Sequence, residues 1–107
     1  MPENKNALTE VVFYILLSLY SPLHGYGIMQ NVKEISGGRV DLGPGTLYGA
    51  INTTVSKGWI QPMEGEKNSR KKEYQITDTG KLIVQNEISR LEELVSNGKK
   101  ILGEDKR

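Results

Sequence analysis

Apolar residues fall into three blocks in the first half of the chain, and each block ends near a residue that breaks helices. The first block consists almost entirely of apolar residues, which a buried strand could also show. Its length exceeds that of a typical strand and therefore indicates a helix that ends before Pro22. In the next two blocks apolar residues recur three and four positions apart, as on one face of a helix, and Gly37 and Gly58 follow them. The sequence therefore predicts three helices, over residues 6–20, 26–35 and 46–57.

The hydrophobic pattern changes its period after the third helix. Residues 59–63 and 72–76 are short segments that carry β-branched and aromatic side chains, and the polar segment 64–71 separates them as in a β-hairpin. Pro62 cannot donate a hydrogen bond to a neighbouring strand, so we expect the first of the two strands to lie at the edge of a sheet.

A heptad-like apolar seam runs along the last predicted helix. Thr77 and Asp78 are typical of a helix start, with threonine as the cap and aspartate beside the positive end of the helix dipole. Gly98 interrupts the heptad spacing. Because a lone amphipathic helix exposes its apolar side unless a second copy covers it, the sequence predicts a homodimer. The predicted dimerisation residues are those of the seam: Val84, Ile88, Leu91, Val95 and Leu102.

Three helices, a hairpin and a long final helix follow one another in the order of a winged helix-turn-helix. The predicted fold is therefore mainly α with a small β hairpin: a winged helix-turn-helix followed by a long C-terminal dimerisation helix. We expect residues 1–77 to form the DNA-binding domain and residues 78–107 to form the dimerisation helix. In such a unit the third helix can enter a major groove while the hairpin tip lies along phosphates.

Charge is concentrated in the predicted hairpin loop. The whole chain of 107 residues carries a net charge of only +1, which by itself does not indicate a nucleic-acid partner. The segment Lys67–Lys72, however, contains four basic residues and no acidic one. This basic tip is either a phosphate-binding wing or a solvated loop.

Composition excludes several classes of chemistry. The chain has no cysteine and only one histidine, His24, so disulfides, thiolate metal sites, cysteine nucleophiles and histidine clusters are absent. No partner nucleophile or orienting acid lies at a suggestive spacing from His24. We therefore expect no enzyme activity, no catalytic residues, no metal and no cofactor. Because no apolar run is long enough to cross a membrane, we expect a cytoplasmic protein without a membrane partner.

Three segments together resemble the PadR-type transcriptional regulators. They are LHGYGIMQ at 23–30, LGPGTLYGAI at 42–51 and RKKEYQIT at 70–77, and the resemblance extends from about Leu8 to Val95. The short C-terminal part resembles the subfamily in which a single helix builds the dimer. The resemblance implies a cytosolic repressor that binds an inverted-repeat operator as a dimer and releases it when a small-molecule effector binds.

The candidate DNA-binding residues lie on the second and third helices and on the hairpin loop. Tyr48 follows the apolar Leu47 and is expected to point outward, where the resemblance implies a DNA contact; partial packing is the alternative. Asn52 shares the face of Tyr48 and either reads a base edge or faces solvent. Tyr26 either meets the DNA backbone, as the resemblance implies, or packs in the core.

Two further groups of candidates lie at the start of the third helix and on the hairpin loop. Near the N-terminus of the third helix, Gly45 and Thr46 could bind a phosphate, a role compatible with capping. The loop candidates are Asn68, Ser69, Arg70, Lys71 and Lys72.

An effector site is the least determined part of the sequence. Residues 78–107 contain no Phe, Trp or Tyr, so aromatic stacking from the last helix is not expected. Phe13 and Tyr14 are weak candidates for a pocket, whereas Trp59 is interpreted as structural. An alternative to a DNA-binding regulator is a winged-helix protein–protein interaction module that uses the wing without binding DNA.

Overall fold

The computed structural model describes residues 7–63 and 72–103. Along this part of the chain four helices and three short strands follow one another, which confirms the mainly α winged helix-turn-helix fold. The elements are α1 (Glu10–Ser18), β1 (Leu23–His24), α2 (Gly25–Ile35), α3 (Pro44–Ser56), β2 (Ile60–Met63), β3 (Glu73–Ile76) and α4 (Asp78–Leu102).

Local capping chemistry sets where the helices begin and end. The Thr9 hydroxyl accepts a hydrogen bond from the Val12 N–H at 3.1 Å and caps α1, which is shorter than the predicted helix over 6–20. The Thr77 hydroxyl does the same for α4, accepting from the Gly80 N–H at 3.0 Å. Gly58 follows α3 with a left-handed φ of 79°, a conformation that favours glycine.

The start of α3 differs from the prediction. The helix begins at Pro44 rather than Thr46, and Gly43 is its N-cap. Proline is favourable at the first helical position because its fixed φ suits the helix and no N–H is needed there. Thr46 therefore lies inside the first turn instead of capping it.

The sheet contains a strand that the sequence did not indicate. Its order is β1-β3-β2, all antiparallel, so β3 is central and β2 is an edge strand, as Pro62 predicted. In β1, Leu23 pairs with Tyr74 and His24 pairs with Glu73. The predicted two-stranded hairpin is thus a three-stranded sheet, because two residues in a turn complete the free side of β3. The short β1 strand joins the helix-turn-helix directly to the wing.

One hydrophobic core joins the helices to the sheet. Almost no surface of its side chains is exposed, and α1, α2, α3, β2, β3 and α4 all contribute to it. Its buried members are Ile15, Leu16, Leu19, Ile28, Val32, Leu47, Ile51, Ile60, Ile76 and Val84.

The first part of α4 is fixed against the rest of the chain. A side chain at Gly80 would overlap the Trp59 carbonyl oxygen, so the first turn of α4 lies directly on that backbone. Glu87 is buried, and its carboxylate accepts hydrogen bonds from Arg90 at 2.7 and 2.9 Å and from the Leu8 N–H at 3.4 Å. Beyond Glu87 the helix continues through Gly98 to Leu102. None of the helices in the described ranges, 7–63 and 72–103, has the length and apolar character needed to cross a membrane.

Candidate nucleic-acid interface

Helix α3 presents one face to the core and another to solvent. Leu47, Ile51 and Thr54 are buried, and the Thr54 hydroxyl donates to the Ala50 carbonyl at 2.8 Å, so its burial leaves no unpaired donor. The opposite face is exposed, as the periodicity of Leu47 and Ile51 predicted. Its residues are Gly45, Thr46, Tyr48, Gly49 and Asn52.

The N-terminal part of α3 leaves space for a partner to approach its backbone closely. Within the described part of the chain, no heavy atom lies within 4 Å of a Cβ built on Gly43, Gly45 or Gly49, apart from chain neighbours and the helix's own backbone. None of these three glycines has a positive φ. The fold itself therefore needs glycine at none of these positions. Inside a helix, glycine also lowers the stability by about 1 kcal/mol relative to alanine.

Among the described residues, no side chain caps the backbone N–H groups in the first turn of α3. Thr9, His24 and Thr77 each accept a hydrogen bond that caps their helix, whereas Gly43 makes no side-chain cap. Uncapped N–H groups at a helix N-terminus, together with the helix dipole, favour a phosphate or another anion.

Tyr48 is half-exposed, and its two ends have different surroundings. The residue retains 45% of its accessible surface. Its hydroxyl lies against Gly25 at the start of α2, close enough that a Cβ there would overlap it. Burial raises the pKa of Tyr74 on β3, and the nearby phenol of Tyr48 raises it further. Tyr48 therefore contacts the start of α2 with its hydroxyl end although nearly half of the residue's surface is exposed.

Tyr26 and Asn52 both lie on the surface. Tyr26 is 62% exposed, and its hydroxyl accepts a hydrogen bond from the Gln30 amide at 2.7 Å. The alternative that Tyr26 packs in the core is therefore wrong. Asn52 lies one helical turn after Tyr48 and is exposed.

Four of the five loop candidates, Asn68, Ser69, Arg70 and Lys71, lie outside the described residues. Lys72 is described; it is exposed and immediately precedes β3. Because β3 pairs with β1, which leads directly into α2, Lys72 is joined to the helix-turn-helix through paired backbone.

The predicted seam of α4 lies in two environments. Val84 is 2% exposed and packs within its own chain. The remaining seam residues, Ile88, Leu91, Val95 and Leu102, are exposed. Leu94 and Ile101 are also exposed, at 52% and 87%, and broaden the apolar surface beyond the predicted seam.

A cavity of about 640 Å³ lies between α1, α3 and α4. Trp59, Leu8 and Ile83 supply part of its apolar lining. Neither Phe13 nor Tyr14 borders it; their side chains pack partly buried against the core. Sequence reasoning missed Trp59 as a lining residue, because its position depends on how the end of α3 meets α4.

Charged groups also border this cavity. The Lys57 ammonium lies 5.0 Å from the centre of the Trp59 ring. The Arg90 guanidinium, which is hydrogen-bonded to Glu87, holds the pKa of that carboxyl below its ordinary value although burial acts in the opposite direction. Across 7–63 and 72–103, no three His, Asp or Glu side chains come together in a way that could hold a metal ion.

The fold and the open helix N-terminus are those of a winged-helix regulator. The family of transcriptional regulators described as PadR-like matches residues 13–86. The chain belongs to this PadR-like family, which confirms the resemblance in the sequence. Its members are transcriptional regulators and not enzymes, in agreement with the expectation from composition.

Solved structures of relatives have the same fold. A PadR family regulator from Eggerthella lenta superposes with a TM-score of 0.72 at 22% identity, covering 90% of this chain and 83% of that chain. Bacillus subtilis PadR in complex with operator DNA superposes with a TM-score of 0.64 at 25% identity, covering 77% of this chain and 48% of that chain.

A relative in sequence is much longer. A 37.1 kDa transposon protein of Streptomyces fradiae is 36% identical over 66 residues, which make up 62% of this chain. The match spans only 18% of that protein's length.

Proposed function

We propose that this protein is a sequence-specific DNA-binding repressor that binds an inverted-repeat operator as a homodimer. The observation that carries the proposal is the exposed, uncapped N-terminal part of α3, where Gly43, Gly45 and Gly49 leave the backbone open. The DNA complex of Bacillus subtilis PadR, a relative with the same fold, supports DNA as the partner.

The proposed roles follow from where each residue lies. The first-turn N–H groups, around Gly45 and Thr46, bind a phosphate. Tyr48 and Asn52 share the exposed face of α3 and contact the major groove, and Tyr26 on α2 meets the DNA backbone. The loop residues Asn68, Ser69, Arg70, Lys71 and Lys72 contact phosphates and supply most of the salt-dependent affinity.

Homodimerisation is the second part of the proposal. The exposed seam residues of α4 form an apolar strip at helical spacing, and a second copy of the helix is its natural cover. Two protomers related by a two-fold axis would then present two α3 helices to the two halves of an inverted repeat.

Release by a small molecule is the third part. The cavity between α1, α3 and α4 is within the size range of pockets that hold drug-sized ligands. Because it touches both α3 and α4, a ligand there could change the position of the DNA-reading helix relative to the dimer helix. Trp59 is the chain's single tryptophan, so quenching of its fluorescence reports binding at this cavity directly.

The sharpest test of DNA binding is Gly49→Ala, measured on DNA from the gene's own upstream region by fluorescence anisotropy. The added methyl group meets no protein atom in the described structure and improves helix propensity, so the variant should be at least as stable as the parent. Because it stands on the proposed DNA-facing side, affinity should fall about tenfold. Ser56→Ala, at the other end of the same helix, is the matched control and should bind normally. Unchanged affinity in Gly49→Ala would contradict the proposed interface.

Salt dependence separates a DNA-binding regulator from a protein–protein module. The parent should bind random duplex weakly and lose that affinity steeply with salt. Replacing Arg70 and Lys71 by alanine should weaken binding to all duplexes alike and reduce the salt slope by about one for each lost phosphate contact. A protein that binds no duplex at any salt concentration would instead be an interaction module.

A further inference from the structure

Gly25 is a glycine whose missing side chain leaves space for another residue, whereas its backbone conformation does not need glycine. It is the first residue of α2 and has no positive φ, so an alanine could adopt the same backbone. A Cβ at this position would nevertheless overlap the Tyr48 hydroxyl and come within 2.8 Å of the ring carbon that bears it. The missing side chain of Gly25 is therefore a niche that the end of the Tyr48 side chain fills.

The niche is held by the sheet as well as by α2. Gly25 directly follows β1, whose Leu23 and His24 pair with Tyr74 and Glu73 of β3. His24 also caps α2, because its Nδ1 atom accepts a hydrogen bond from the Gly27 N–H at 3.3 Å. Backbone pairing on one side and the helix cap on the other thus fix the position of Gly25 relative to the wing.

Fixing the hydroxyl end limits what the rest of the Tyr48 side chain can do. A half-exposed tyrosine on a free helix surface samples several rotamers, and binding then costs the entropy of selecting one. The contact of the hydroxyl with Gly25 restricts the rotamers that Tyr48 can adopt before any partner arrives. A side chain that is already in its bound orientation binds more tightly and discriminates better.

We propose that Gly25 is a positioning residue for DNA recognition, because its missing side chain forms the niche that holds Tyr48 in the orientation that meets the operator. The inference rests on the proposed function and adds a specificity-determining role for a residue that does not itself touch DNA. It also assigns the wing strand β3 a part in that role, through its pairing with β1.

The test compares Gly25→Ala with Gly27→Ala, the same substitution two residues further along the same helix. The three atoms nearest to a Cβ at Gly27 belong to Leu23 and His24, and the nearest is the Leu23 Cδ2 at 3.3 Å. At a temperature where circular dichroism shows both variants folded, Gly25→Ala should bind the operator about tenfold more weakly than the parent. Its affinity for random duplex should change little, and Gly27→Ala should keep both affinities. A purely structural role would lower both affinities alike and would overturn the proposal.

A second experiment is a double-mutant cycle that combines Gly25→Ala with Tyr48→Ala. If Gly25 acts through Tyr48, adding Gly25→Ala to Tyr48→Ala should have no further effect on operator affinity. Additive losses would overturn the proposal. If Gly25→Ala alone fails to fold, the double variant should fold, because the overlapping side chain is gone; a double variant that also fails to fold would overturn it.

The outcomes also separate this inference from the proposed function. A parent protein that binds no duplex would overturn both together. A parent that binds its operator, with Gly25→Ala indistinguishable from Gly27→Ala, would overturn this inference alone.

Discussion

The two halves of α4 have the same backbone conformation but opposite surroundings. In the first half Gly80, Val84 and Glu87 are buried against α1, β3 and the backbone after α3. In the second half every apolar side chain is exposed, from 37% at Leu91 to 87% at Ile101. One continuous apolar pattern therefore contains residues that hold their own chain together and residues that no described part of the same chain covers.

This difference shows what heptad spacing can and cannot indicate. The spacing identifies the apolar side of a helix, but it does not tell whether that side meets its own chain or another. The predicted division into residues 1–77 and 78–107 stays a prediction. Packing places the change of surroundings further along the helix, after Glu87.

The largest expected effect is that of Val84→Asp. It buries a charge without a partner in the core, and we expect the free energy of unfolding to fall by about 4 kcal/mol or more. Chemical denaturation followed by circular dichroism measures it. Val95→Asp is the matched control on the same helix; if both variants lose equal stability at low protein concentration, the two halves do not differ.

Replacing both Leu91 and Val95 by aspartate should have the next largest effect. It should weaken dimer assembly without unfolding the protomer. The substituted side chains face solvent within the protomer, so the fold should persist. Because each buried aliphatic side chain is worth roughly 1.5–3 kcal/mol, the dissociation constant of the proposed dimer should rise about a hundredfold or more. Sedimentation velocity should then show monomers, and a dimeric double variant would mean that another surface holds the dimer.

Glu87 lies where the two halves of α4 meet, and the pH dependence of stability in Glu87→Gln tests its ion pair with Arg90. The pKa of Glu87 is lowered in the folded state, so its contribution to stability is present above the ordinary carboxyl pKa and is lost as the pH falls through the lower, folded value. At neutral pH we expect Glu87→Gln to melt a few degrees below the parent. Below both pKa values the gap should narrow, because the parent then loses the same contribution. A gap that stays constant between neutral and strongly acidic pH would contradict the ionised Glu87–Arg90 pair.

Gly98→Ala should have the smallest effect. Gly98 lies in the exposed half of α4, and a Cβ there meets no atom of its own chain in the described structure. The substitution should raise the free energy of unfolding by about 0.5–1 kcal/mol through helix propensity. Thermal melting measures it, and a destabilised variant would indicate that the proposed dimer needs close contact at this position.

Features fixed by neighbouring residues were predictable from the sequence. Thr77 caps α4 and Gly58 follows α3, because capping depends on residues within one turn. The inward position of Leu47 and the exposure of Asn52 followed from helical period.

Features that depend on distant residues were not predictable. Strand β1 has two residues and no periodicity, and only its pairing with β3 makes it a strand. The Tyr48 hydroxyl lies against Gly25, a contact between two helices that spacing along one helix does not reveal. The cavity beside Trp59 likewise depends on how α3, α1 and α4 meet.

The exposed half of α4 also bears on the half-site spacing of the proposed operator. From Ile88 to Leu102 the helix extends roughly 20 Å, at 1.5 Å per residue. Half-sites read by a two-fold dimer lie about 34 Å apart, one turn of the duplex, or a multiple of that distance. If two copies join along this part of α4, its length and the angle at which the two α4 helices cross set the distance between the two α3 helices. The number of base pairs between half-sites would then be determined by residues outside the proposed DNA-binding surface.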